Sequence, residues 1–444
     1  MKKLTLSISF VVALAISAYA QTADQHFKAG LEFYEAKSYD QAITSFSAAI
    51  SLDPNLSAAW FNRGQSYFYK GVFEKAIIEY SQALKLKPDM VDAWFQRGLT
   101  YTKIKNYDAA IADYSQGIRL APSDSQFWHN RALVYVDKGL PDQALADYNE
   151  AIRLNPAYTK AYINRGGVYF RKKNYAAAIA DFTKARDLDP NLVEARYNLG
   201  QANYFAQNYD AAIASYTETL RLAPNRADAY MQRGLSYQKK RELDLAIADY
   251  TKAIAIAPEQ SDLYHNRGNT YIDKGLTDLA IADFGKALQL NPKASRTFLA
   301  RGNAHYRARN YDLALADFSA AIDADPNYYD AWANRAVVYS VKAQYDLAIA
   351  DLTQAIKLAP ANPKGYKDRS ISHYQKKNYD LSLADLNELI RLDPKTAQNY
   401  AMRGEVYEKK NQKDLAIADY KTALSLDPAN VFAKAALARL GATA

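Results

Sequence analysis

The sequence predicts an all-α protein built by stacking one two-helix unit, and three observations carry that reading. Twelve of the 14 prolines stand 34 residues apart: Pro54, Pro88, Pro122, Pro156, Pro190, Pro224, Pro258, Pro292, Pro326, Pro360, Pro394 and Pro428. Small residues recur at fixed distances from each proline, with large apolar or aromatic residues between them. An unbroken period of this length marks repeated helix pairs, each burying its apolar face against its neighbours. The 444 residues therefore do not count out into ordinary domains, and an apolar fraction of 49% is ample for a continuous core.

The first twenty residues are of another kind. Lys2 and Lys3 precede an apolar run from Leu4 to Ala18, and Ala18-Tyr19-Ala20 has the small-x-small form of a signal-peptide cleavage site. The run is shorter than the ~20 residues a membrane span needs. Residues 1–20 are expected to be a cleaved export signal. The mature chain then starts near Gln21 and is exported, periplasmic or secreted, without a membrane span. No cysteine is present, which excludes disulfides, thiolate metal sites and lipid attachment through cysteine.

With each proline at slot 32, the repeats run from Ala23 to Asn430. Slot 8 is Gly30, Gly64, Gly98, Ala132, Gly166, Gly200, Gly234, Gly268, Gly302, Ala336, Ser370 and Gly404. Slot 20 is alanine in eleven repeats, Ser382 being the exception, and slot 27 is alanine in nine. Small side chains here let two antiparallel helices approach closely. Large residues at slots 4, 11, 17 and 24 fill the space around the contact, as Trp60, Tyr67, Phe73 and Tyr80 do in repeat two. The proline cannot continue a helix, and Asp or Asn precedes it in seven repeats as a turn residue (Asp53, Asn155, Asp189). Residues 431–444 close the array with an amphipathic helix, beginning Val431-Phe432-Ala433, and a short tail.

This slot pattern, in all twelve repeats over residues 23–430, resembles the tetratricopeptide repeat. The resemblance implies a right-handed superhelical solenoid of twelve tetratricopeptide helix-turn-helix repeats, first helices lining the concave face, with a C-terminal capping helix. It implies partner binding and leaves the partner open. Slot 7, usually large and apolar in the family, is here arginine in ten repeats: Arg63, Arg97, Arg131, Arg165, Arg233, Arg267, Arg301, Arg335, Arg369 and Arg403. Slot 23 is acidic in ten: Glu79, Asp113, Asp147, Asp181, Asp249, Asp283, Asp317, Asp351, Asp385 and Asp419. Both are lost in the same two repeats, as Ala29 with Ser45 and Leu199 with Ser215. The covariation predicts an arginine–carboxylate bridge between the two helices of each of the ten repeats.

The slot before the arginine carries an amide in seven successive repeats: Asn62, Gln96, Asn130, Asn164, Asn198, Gln232 and Asn266. Ala300 ends the run, and Asn334, Asp368 and Met402 follow. A carboxamide both donates and accepts, so it can clasp a peptide unit whatever its side chain. The ladder resembles the asparagines in the repeat superhelix of O-linked N-acetylglucosamine transferases, which hold extended peptide, although nothing here resembles their catalytic domain. The other reading is that each amide satisfies a nearby backbone group. Phe61, Phe95, Tyr197, Phe68, Phe170 and Tyr204 occupy adjacent slots and suit either ligand contact or packing. The lysine-asparagine pattern of carboxylate-clamp repeats is absent, because the one lysine at slot 5, Lys367, is followed by Ile371 at slot 9.

Repeats two to five also resemble six to nine at an offset of 136 residues, with His129-Asn130-Arg131 matching His265-Asn266-Arg267 and Arg171 matching Arg307. Repeat six departs most, with Leu199, Asn203 and Ser215. The net charge of +8 arises from clusters such as Lys172-Lys173 and Lys376-Lys377. These fall at first-helix ends, where they complement the helix dipole, so no nucleic acid is expected. His26, His305 and His373 take slots of packing aromatics and are expected in the core. No metalloprotease, nucleophile-elbow or P-loop pattern occurs. The expected function is an exported protein–protein interaction scaffold binding extended polypeptide or envelope proteins, with no enzymatic activity, no cofactor and no metal. The alternative is a periplasmic scaffold contacting glycan or polysaccharide-export machinery.

Overall fold

The computed structural model describes residues 22–443, and every regular element among them is an α-helix. The expected export signal lies outside the described residues. From repeat two on, each repeat folds as a 13-residue first helix and a 14-residue second helix, Ser57–Tyr69 and Phe73–Leu86 in repeat two. In repeat one the first helix occupies residues 22–35 and the second is Tyr39–Leu52. The contacts divide the chain into two units, residues up to Ala223 and from Pro224 onward. Within each unit the second helix of one repeat packs on the first helix of the next, and successive first helices also touch one another. The first helices therefore form the inner row of each unit.

The close approach at slot 8 is real. A β-carbon at Gly64 would lie 2.8 Å from Tyr80 Cε1, and one at Gly98 would lie 2.9 Å from Tyr114 Cε1. Where slot 8 is Ala336 or Ser370, the facing ring shrinks to Leu352 or Leu386; Ala132 faces Tyr148 all the same. A second exchange of volume crosses a repeat junction. Gly117 replaces the alanine of slot 27, and the Phe127 ring fills the space, 1.9 Å from where a β-carbon would stand.

The turn between the helices has one backbone form throughout. The slot-16 N–H bonds back to the slot-11 carbonyl, as Val72 to Tyr67 at 2.9 Å, which closes the first helix as a Schellman motif. That closure places slot 15 in the left-handed region in all twelve repeats, from Lys37 (φ 58°) to Asn411 (φ 60°). Only Gly71, Gly139 and Gly275 supply the residue that adopts this conformation without steric cost. At the other end, Asp53 before Pro54 is extended (φ −135°), as proline requires of its predecessor. Its Oδ1 accepts the Asn55 N–H at 3.0 Å, and Asn155, Asp189, Asn291, Asp325 and Asp427 do the same two residues ahead. The proline carbonyl then accepts the indole N–H of the next slot-4 tryptophan at 2.9–3.1 Å, from Trp60, Trp94, Trp128 and Trp332.

The chain ends on the helix Val431–Arg439, whose N-cap Asn430 accepts from Ala433 N at 2.9 Å. Ala433, Ala436 and Leu437 bury themselves against Ala416, Tyr420 and Ala423 of repeat twelve. Arg439 grips Glu408 with two hydrogen bonds of 2.9 and 3.0 Å.

Candidate functional site

The arginine predicted to bridge the two helices does so in all ten repeats. Nε and Nη2 donate to the two oxygens of the slot-23 acid at 2.6–3.0 Å. The acids are almost fully covered, with 5–10% of the side chain exposed. Burial pushes the Glu79 and Asp113 carboxyls up, against the pull of Arg63 and Arg97. Hydrogen bonding to Asp249 raises the Arg233 guanidinium, which stays charged. Each guanidinium also lies against the ring at slot 4, as Arg97 does 4.8 Å from the Trp94 centroid, and most against a second ring at slot 11.

Spacing within a repeat did not reveal a third bond. At eight repeat junctions the remaining nitrogen, Nη1, donates to a slot-25 side chain of the preceding repeat, Ser47, Ser81, Ser115, Asn149, Thr251, Ser319, Thr353 or Asn387, at 2.6–3.0 Å. One arginine thus ties three helices together. Arg301 faces Gly285, which offers it nothing, and it is the most exposed of the ten. The first-helix lysines do more than complement a dipole. Lys172 pairs with Asp142 of the preceding repeat at 2.7 Å, and Lys138, Lys376 and Lys410 pair likewise with Asp108, Asp346 and Asp380. These cations are spent on repeat junctions.

The amide ladder sits half-buried on the first helices, with Asn62, Gln96, Asn130, Asn164 and Asn198 in one unit and Gln232 and Asn266 in the other. Two of the seven satisfy their own backbone: Asn62 donates to the Ala58 carbonyl at 2.8 Å and Asn130 to that of Gln126 at 2.7 Å. Gln96, Asn164, Asn198, Gln232 and Asn266 have no side-chain hydrogen bond among the described residues. Slot 6 itself opens on cavities in repeats nine to twelve, where Ala300, Asn334, Asp368 and Met402 each line one of 210–340 Å³. In the second of these, Asn334 donates to Asn303 at 2.9 Å.

The neighbouring aromatics pack on one another. Phe61 lies against Tyr80, Phe95 against Tyr114 and Phe127, and Tyr197 against Tyr216. Phe68, Phe170 and Tyr204 sit in clusters with Phe73, Tyr175 and Tyr209. Tyr69 and Phe205 are the open members of these clusters, 58% and 51% exposed.

His305 and His373 are buried as expected, their Nε2 atoms 3.8 and 4.0 Å from Asp317 and Asp385. His26 is exposed instead; the later slot-4 rings pack on the second helix of the repeat before, as Trp60 does on Ala49 and Ile50. His129 and His265, at slot 5, are buried; the 136-residue offset matched them to each other without placing them in the core. Burial lowers each to about 4, with Lys160 and Arg296 adding to the effect. In repeat six Leu199 joins the apolar cluster of Ala178, Phe182 and Ala202, and Asn203 donates to its carbonyl at 2.9 Å. Arg196 there replaces the slot-4 aromatic and buries Nε and Nη1 without hydrogen-bond partners. No helix among the described residues is long and apolar enough to cross a membrane, and no group of them is arranged to hold a metal ion.

No curated protein matches the chain. The crystal structure of MamA is 32% identical over 37% of this chain and 96% of its own, with a TM-score of 0.36. Yeast Tom70 is 19% identical over 94% and 96% of the two chains (TM-score 0.39). YrrB, described as a TPR protein with an unusual peptide-binding site, is 22% identical over 41% and 95% (TM-score 0.36). Models of the tetratricopeptide repeat match residues 129–193, 265–329, 299–363 and 335–397, and further models of the same repeat match 30–71, 64–105, 91–124, 169–234, 227–260 and 397–430. With that slot pattern, that helix pairing and those matches along nearly its whole length, the chain belongs to the tetratricopeptide repeat family.

Proposed function

We propose that this scaffold, of a fold suited to protein–protein interaction, binds extended polypeptide along the inner row of first helices. The observation that carries the reading is the set of five slot-6 carboxamides without partners, Gln96, Asn164, Asn198, Gln232 and Asn266, at the slot that faces cavities further along the chain. A half-buried amide with both its groups open to the groove is free to bond a peptide backbone, which offers both a carbonyl and an N–H. Export through the leader at residues 1–20 belongs to the same proposal and places the partner in the cell envelope; sequencing of the mature N-terminus is expected to begin near Gln21.

The test is binding of a random-sequence dodecapeptide library to wild type and to a variant with those five amides changed to alanine, after matched melting. Loss of affinity across all sequences is expected, because the contacts are to backbone. Unchanged binding would sink the ladder. A second reading, contact with glycan, draws on Tyr69 stacked on Tyr39 (centroids 5.6 Å, planes 9° apart) and Phe205 stacked on Tyr175 (5.9 Å, 22°). Exposed rings of this kind suit sugar faces. Quenching of tyrosine fluorescence by oligosaccharide, abolished in Tyr69→Ala/Phe205→Ala, would favour it.

A further inference from the structure

At repeat eleven the amide slot holds a carboxylate, Asp368, on the first helix Pro363–Gln375. The ten acids of the arginine bridges are buried and each receives two hydrogen bonds from a guanidinium. Asp368 receives none: its Oδ2 is buried without a partner, and no ion pair reaches the carboxylate among the described residues. The Tyr329 hydroxyl, within range of its charge, is likewise buried and unpartnered. Burial pushes the Asp368 carboxyl up, outweighing the attraction of Lys364 and Lys367 on the same helix. Lys364, one turn earlier, lines the neighbouring cavity with Asn303 and Asn334 instead of pairing with it.

Asp368 opens on a cavity of about 300 Å³ lined by the apolar Val337, Val341, Leu352 and Ile371, with Ser340, Tyr345 and Gln375 as members that carry a polar group. Val341 and Ile371 are themselves exposed, at 49% and 38%. The combination is a largely apolar slot with a half-buried carboxylate that no hydrogen bond or ion pair holds among the described residues. A carboxylate with one oxygen buried and unpaired gains from a cationic partner, and one carboxylate alone is too few oxygen ligands for a divalent cation. A flexible aliphatic stem ending in a cation satisfies both parts, because such side chains lay their methylenes on apolar surface and present the charge at the tip.

We infer that this cavity takes a lysine or arginine side chain of a bound polypeptide, its stem against Val337, Val341 and Ile371 and its cationic head on the Asp368 carboxylate. The inference rests on the reading of the inner row as a peptide groove and adds a side-chain specificity to it. The backbone is held by amides that ignore sequence, and repeat eleven selects a basic residue.

The experiment uses extended dodecapeptides of alanine, serine and glycine carrying one central residue, either lysine, arginine, norleucine or glutamate. Their binding to the full mature chain and to Asp368→Asn is measured by fluorescence anisotropy. Asp368→Asn keeps the shape and restores the amide that other repeats carry at this slot, and removing a half-buried, unpaired carboxylate leaves it at least as stable as wild type. The lysine and arginine peptides are expected to bind wild type roughly tenfold or more tighter than the norleucine peptide, the worth of one charge-assisted hydrogen bond. In Asp368→Asn that preference disappears while the norleucine peptide binds at least as tightly as to wild type. Equal binding of lysine and norleucine peptides to wild type, or a preference that survives Asp368→Asn, overturns the basic-side-chain site alone. Absence of binding by every peptide, norleucine included, overturns the groove reading and this site with it.

Discussion

At the scale of single residues, the slot-7 arginine is the most connected side chain of the repeat. Its fork holds the acid of its own repeat, its third nitrogen reaches the repeat before, and rings cover its face. Removing it strands a buried carboxylate, so Arg165→Leu is expected to cost about 3–5 kcal/mol. Repeat six shows which second change compensates, since Leu199 stands there with Ser215. Arg165→Leu with Asp181→Ser should recover a large part of the loss, and a double-mutant cycle in urea measures the coupling. Additive losses would mean that the bridge is geometric only. Gly285 is the converse case, a place where a partner is missing. Gly285→Ser has room beside Arg301 Nη1, 3.7 Å from the β-carbon position. It is expected to stabilise by about 1–2 kcal/mol through a hydrogen bond and better helix propensity, read as a raised urea midpoint.

The buried histidines set a pH response at the same scale. His129 and His265 are neutral in the fold, with values of about 4 against the ordinary 6.5. Between those values the unfolded chain binds protons that the folded chain refuses, so stability rises with pH across the window. It is complete above pH 6.5 and is lost as pH falls toward 4, by about 2–3 kcal/mol per histidine. His265→Phe, with its ring against Phe284, should flatten that decline in a pH series of melting temperatures. An unchanged slope would place the acid sensitivity elsewhere.

At the scale of the element, the helix pair closes through a left-handed residue that evolution has filled with glycine in only three of twelve repeats. The non-glycine residues carry a steric cost of about 1 kcal/mol that is partly offset by their smaller unfolded-state entropy. Ala343 (φ 58°) is exposed and its side chain is a single methyl. Ala343→Gly is therefore expected to stabilise by ~0.5–1 kcal/mol, visible as slower urea unfolding, whereas the same change in mid-helix would destabilise. Lys37, Lys105 and Arg309 do not read as turn residues, and the backbone geometry comes from the helices on either side.

At the scale of the whole molecule, stability is a sum over junctions, so the ends matter more than in a globular domain. Deleting residues 431–444 uncovers Ala416, Tyr420 and Ala423 and frees Glu408 from Arg439. The truncated chain should lose its last repeat first, with protease cleavage beginning in repeat twelve and self-association appearing in sedimentation. Intact, monodisperse behaviour would show the final helix to be dispensable. The surface also changes along the chain. Leu245, Leu279, Leu313, Leu347, Leu381 and Leu415 are about half exposed at one slot of the last six second helices, whereas repeats one to six carry Gln41, Lys75, Ala109, Gln143, Ala177 and Ala211 there.

The sequence by itself determined the repeat, its helix pairing and the arginine bridge, because twelve copies of one unit act as internal replicates. A pairing lost twice in the same repeats, as with Leu199 and Ser215, is visible without coordinates. The tertiary structure alone decided what crosses a junction. The serines, threonines and asparagines at slot 25 look like surface polar residues until Arg97 or Arg165 is seen to reach them. His129 and His265 look unremarkable until the next repeat covers them. The aromatics near the amide ladder pack together, and Asp368, one more polar residue at slot 6, proves to hold a buried carboxylate oxygen with no hydrogen-bond partner among the described residues. The physical reason is the same in each case. Contacts within a repeat follow from helix periodicity, whereas contacts between repeats depend on how one helix pair is rotated against the next, and a linear spacing carries no record of that rotation.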